Sequence, residues 1–109
     1  LMLLTPFVAD AQDEKTQAFV SEYKEKFNDT PNQFAADTYD AMLIIKEAAE
    51  KAGVTPDMSV SDICEAMKTA MTEIKIDGLT GADMTWNAAG EPNKAPKAVM
   101  IENGEYVMQ

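Results

Sequence analysis

The chain has 109 residues, a one-domain length, and 46% of them are hydrophobic, which excludes a disordered polymer. Asp and Glu number 19 against 9 Lys and Arg, and the formal charge of -10, with no basic stripe to offset it, excludes nucleic acid and anionic lipid as natural partners. There is no histidine and one cysteine, Cys64, so the commonest general base and metal ligand are missing and neither an internal disulfide nor a zinc cluster can form.

Leu1-Met2-Leu3-Leu4 is an apolar run far shorter than the ~20 residues of a membrane span, without the basic start or length of a signal-peptide core. It reads as a strand of a parallel sheet, buried on both faces, that feeds a loop at Thr5-Pro6. Asp10, Asp13 and Glu14 supply the acidic residues that favour a helix amino end. The spacing predicts a first helix from about Asp13 to about Phe27, with Thr16, Phe19, Val20, Tyr23 and Phe27 along one face. The turn residues from Asn28 to Asn32 break it.

A second helix is expected from Asn32 to Ala52, with Gly53 as its stop. Its middle, Ala41-Met42-Leu43-Ile44-Ile45, is apolar nearly all round and is expected to be buried on more than one side. Val54 to Ser59 forms a loop around Pro56. Ser61 caps a third helix whose apolar face is Ile63, Met67, Ala70, Met71 and Ile74. A strand is expected through Ile74 and Ile76. Asp77-Gly78 and Thr80-Gly81 then punctuate the chain. The tail holds a short β segment at Met84-Thr85-Trp86-Asn87, a Gly90-Glu91-Pro92-Asn93-Lys94 turn, a strand from Lys97, an Asn103-Gly104 turn and a final strand. This order gives an α/β chain with too few strands for a free-standing sheet. Its helices must cover one another, or a sheet that comes from other sequence or from a partner chain.

The carboxylate pairs Asp37/Asp40 and Asp62/Glu65 each share a helix face, but no convergent ligand accompanies them. They read as helix-start electrostatics and solvated surface. Cys64 reads as a small buried hydrophobe beside the apolar stripe. Asn28-Asp29-Thr30 fits the short N-glycosylation pattern, and Ser59 and Ser61 read as caps, not nucleophiles. No phosphate-binding glycine loop is present. The methionines number 8, and core packing accounts for them, with a Met-lined partner groove as the alternative. Phe34 and Tyr39 flank the start of the second helix, where backbone N–H groups are free to meet a polar ligand. On the residues alone, they are either core aromatics or an apolar wall beside those groups.

Gln33-Phe34-Ala35-Ala36-Asp37-Thr38-Tyr39-Asp40-Ala41 follows a helix that ends Tyr23-Lys24-Glu25-Lys26-Phe27 and a Pro31 turn. It precedes a helix at Ser61–Met71, then Leu79-Thr80-Gly81, Thr85-Trp86-Asn87 with Gly90, and a strand that closes on Asn103-Gly104. In this order and spacing the chain resembles the carboxyl-terminal third of the branched-chain amino acid (leucine/isoleucine/valine) substrate-binding proteins of ABC transporters, the type 1 periplasmic binding proteins. The resemblance implies part of a two-lobe fold, contributing three helices, a leading strand and a carboxyl-terminal β hairpin. Residues 1–96 would belong to the first lobe, and residues 97–109 would be the last crossing strand and a hairpin returning to the second.

The resemblance further implies an extracytoplasmic, lipid-anchored parent that captures a small amino acid by lobe closure and delivers it to an ABC permease. It implies no catalysis and no cofactor. Phe34, Ala35, Ala36, Asp37 and Tyr39 match the segment that lines the ligand cleft. Because the parallel strands its helices would cover are missing, the chain by itself is expected to bind amino acids weakly and to associate as a homo-oligomer. The rival reading is a stand-alone α+β module that self-associates through its Met-rich faces.

Overall fold

A computed structural model describes residues 1–109. The elements in chain order are β1 (Met2–Thr5), α1 (Glu14–Phe27), α2 (Gln33–Ala52), α3 (Val60–Met71), β2 (Lys97–Glu102) and β3 (Glu105–Met108). No helix is long and apolar enough to cross a membrane.

Each helix begins where a short polar side chain replaces a missing backbone partner. The Asp13 carboxylate accepts the Thr16 amide at 2.9 Å, and the Asn32 side chain accepts the Ala35 amide at 3.1 Å. The third cap is Ser59, not Ser61. Its hydroxyl oxygen accepts the Asp62 amide at 3.1 Å and donates to the Asp62 carboxylate at 2.8 Å. Ser61 lies two residues too late to do this and is inside the helix. α2 stops at Gly53, whose φ of 66° is the left-handed conformation that glycine tolerates best.

The strands form one antiparallel sheet in the order β1-β2-β3. β2 and β3 are the expected hairpin, turned by Asn103 and Gly104 at φ 52° and 84°, the paired positive values that such a tight turn requires. β1 departs from expectation. It runs antiparallel to β2, with Leu3 opposite Val99 and Thr5 opposite Lys97, and Leu1, Met2 and Leu4 are exposed. No helix of the chain packs extensively on the sheet, so the apolar character of the run is not matched by burial.

Two small apolar clusters hold the helices. Phe7, Val20, Ala36 and Leu79 form one, with Ala9 and Phe19 against it. Ala48, Ile74, Ile76 and Met84 form the other, with Ile44, Met67, Met71 and Trp86. The segment after α3 makes two isolated antiparallel bridges in place of strands, Ile76 with Met84, at 2.9 and 2.7 Å, and Trp86 with Pro92.

Asp40, expected on a solvated face, is fully buried. Its carboxylate accepts the Leu79 amide at 2.9 Å, the Thr80 amide at 2.8 Å and the Thr80 hydroxyl at 2.7 Å. Two further expectations fail because one face of each helix meets nothing. The middle of α2 turns Ile44 and Ala48 inward against α3 and leaves Ala41, Met42 and Ile45 exposed. Cys64 lies off the Met67–Ala70 stripe of α3 and is exposed.

Candidate functional site

The first turn of α2 is held from three directions. Pro31, which is buried, leads the chain into the Asn32 cap. Ala36 is completely buried in the Phe7–Val20–Leu79 cluster and anchors the turn from beneath. The Thr5 hydroxyl, at the end of β1, lies 3.2 Å from Gln33 Oε1 and 3.0 Å from the Phe7 carbonyl, and its one proton is shared between these two acceptors.

On this frame Phe34 stands into solvent, 73% exposed, with no aromatic neighbour. Ala35 is half-buried beside it. Asp37, one turn on, accepts a charged hydrogen bond from Lys94 at 3.4 Å, and both side chains are about two-thirds shielded. Tyr39 lies on another side of the helix. Its ring packs against Phe19 at 5.1 Å, in a chain of aromatics that runs from Phe7 through Phe19 and Tyr23 to Phe27. Phe34, Ala35 and Asp37 thus share an accessible surface, Tyr39 flanks it, and Ala36 supports it without reaching it.

Lys94 and Thr5 were not foreseen as neighbours of this turn. They lie 57 and 28 positions from their partners, and no local pattern marks either. Two cavities adjoin. One of about 160 Å³ lies between Leu4-Thr5-Pro6 and Lys94-Ala95-Pro96. A second, of about 520 Å³, is bordered by Asp13, Lys15, Asp77, Asn93 and Lys97. There Lys15 donates to the Asp77 carbonyl at 2.6 Å and to its carboxylate at 3.1 Å. Partial burial raises the pKa of Asp13, but the Thr16 amide and the nearby Lys97 charge outweigh it and hold the carboxyl below its ordinary value.

No group of three or more His, Cys, Asp or Glu side chains is placed to hold a metal ion. What the first turn of α2 offers is an open aromatic ring, an adjacent ion pair and the unpaired N–H groups of a helix start.

The family model described as "Periplasmic binding protein" matches residues 1–105. No curated protein matches the chain. Among solved structures, an ABC transporter substrate-binding protein from Desulfitobacterium hafniense in complex with Leu is similar at a TM-score of 0.80 and 19% identity, with 100% of this chain and 31% of that one covered. A putative branched-chain amino acid ABC transporter protein from Rhodospirillum rubrum is similar at 0.72 and 26% identity, covering 99% of this chain and 30% of that one. A leucine-binding protein from Thermotoga maritima is similar at 0.75 and 23% identity, covering 100% and 29%. The chain therefore spans under a third of the length of the structures it resembles. The family is one of extracytoplasmic solute-binding proteins and not of enzymes. With its three helices and antiparallel sheet arranged as part of that α/β fold, the chain belongs to the periplasmic binding protein family.

Proposed function

We propose that this chain is the carboxyl-terminal part of a solute-binding protein that captures a small amino acid, of the branched-chain type, and delivers it to an ABC permease. The observation that carries the reading is Phe34, an exposed aromatic on a turn that is held from three directions. A large apolar side chain on a rigid frame is the usual means of gripping an apolar ligand group. The Gln33 and Phe34 amides have no acceptor within the chain, and a helix start favours a carboxylate. An amino acid with an apolar side chain satisfies both. Ala35, Asp37 and Tyr39 would form the edges of the contact, and Ala36 its support.

Branched-chain cargo is favoured by the Leu complex and the leucine-binding protein among similar structures, although a relative from Rhodopseudomonas palustris is in complex with benzoate. The mechanism is closure of two lobes about crossing strands. The helices between Pro6 and Pro96 would belong to one lobe, β1 and β2 would be crossing strands, and β3 would return to the other lobe. In the parent protein a lipid anchor would hold the assembly at the membrane surface. Separated from the parent, the chain would self-associate through the faces left open on α2 and β1.

The test is calorimetric titration of the full-length protein with a panel of amino acids. Binding of a branched-chain member that weakens about ten-fold or more in Phe34→Ala supports the reading. Equal binding by that variant, or no heat with any amino acid, rejects it.

A further inference from the structure

Pro6 follows β1 directly and Pro96 precedes β2 directly, while Thr5 and Lys97 are the last paired residues of the ladder between them. A proline offers no N–H and fixes its own φ, so both strands leave the sheet at the same level. The helical part is therefore joined to the sheet by two adjacent connections with a cavity of about 160 Å³ between them. Each connection is tied by one side chain to the amino-terminal end of α2. Thr5 reaches Gln33 from the first, and Lys94 reaches Asp37 from the second. Gln33 and Asp37 are one turn apart on the same helix face. The Lys94 stem lies along Gly81, where an added Cβ would come within 3.5 Å of its Cγ. Gly81 ends the loop that the buried Asp40 carboxylate clamps. Lys94 thus bridges a rigid loop, a rigid helix turn and the connection to β2.

We propose that the Lys94–Asp37 pair, with Thr5 and Gln33, is a latch that sets the angle between the helices and the sheet. Lys94 is then a positioning residue for ligand capture. The inference rests on the solute-binding reading for its functional consequence, but not for its geometry. With the latch made, the turn that carries Phe34 keeps a fixed attitude to the crossing strands, and a ligand has less motion to quench on binding. With it broken, the two connections lose their tie to α2 and binding must supply the order. A pair of partly shielded charges is a modest restraint, so the expected effects are modest and weaken with salt.

The experiment uses the full-length protein without other free cysteines, spin-labelled on Cys64 in α3 and on a Glu105→Cys substitution at the start of β3, both exposed positions. The label-to-label distance distribution is measured without ligand. Lys94→Gln and Asp37→Asn are expected to broaden it equally, their combination to broaden it no further, and Lys94→Arg to keep it narrow. A wild-type distribution in Lys94→Gln, or broadening in the double variant beyond either single one, overturns the latch. In parallel, leucine affinity by calorimetry is expected to fall about three- to five-fold in Lys94→Gln and to recover in Lys94→Arg. If the unmodified protein binds no amino acid, the solute-binding reading fails while the distance test still decides the latch. If leucine binds and Lys94→Gln changes neither readout, the latch fails alone.

Discussion

Asp40 is buried because three donors from one loop converge on its carboxylate, and each would be stranded without it. Asp40→Ala is expected to destabilise the protein by about 3 kcal/mol, from the loss of bonds to a charged acceptor and the burial of unpaired donors. The urea midpoint should fall with an unchanged slope. Gly78→Ala tests the same clamp from the other side, because an added Cβ would lie 2.6 Å from the Asp40 carboxylate. It should lower the midpoint by a comparable amount. Asp13 makes a weaker, pH-dependent contribution. Its carboxyl is held below the ordinary 3.8, so the charged cap adds stability above that value, and the stability is lost as pH falls through the lower folded value. Asp13→Ala should cost about 1 kcal/mol near neutral pH, and the difference should shrink in strong acid, where the neutral carboxyl is left only its hydrogen bond to the Thr16 amide. At this scale the sequence was legible where the partner is local, as for Asp13 and Asn32. It was not for Asp40 or Lys94, whose partners are fixed by tertiary packing 40 and 57 positions away.

The helices were legible as elements because caps, stops and apolar spacing agree within each one. α1 and α2 begin and end within a residue of expectation, whereas α3 takes the earlier of two serines, since only Ser59 leaves the Asp62 amide three residues ahead of it. What spacing does not reveal is which apolar face will be covered. Ala41, Met42 and Ile45 read as core and are open. The two-lobe reading assigns that face to contact with the rest of the parent protein. Ile45→Asp should therefore destabilise the full-length protein by about 2 kcal/mol or more, and the 109-residue chain by less than about 0.5 kcal/mol. Equal effects in the two would place the face at the surface in both. The leading strand shows the same limit: an apolar run signals burial but not the direction of its neighbour, and β1 pairs antiparallel where a parallel partner was expected.

The whole chain is extended for its size. Its radius of gyration is 16.4 Å, against about 13 Å for a compact chain of this length. Its accessible surface is 7412 Å², against about 6,000 Å² for a folded monomer of its mass. The excess comes from a sheet and helices that share little packing, and it agrees with a chain that spans under a third of its structural relatives. By itself the chain should sediment as more than a monomer at micromolar concentration and bind an apolar dye, while the full-length protein should do neither. The central claim is that the first turn of α2 grips a small amino acid in that larger protein. Calorimetric titration of the full-length protein and its Phe34→Ala variant with leucine tests this most directly. The account expects saturable binding that weakens about ten-fold or more in the variant. Identical affinities, or no binding of any amino acid by the unmodified protein, would contradict it.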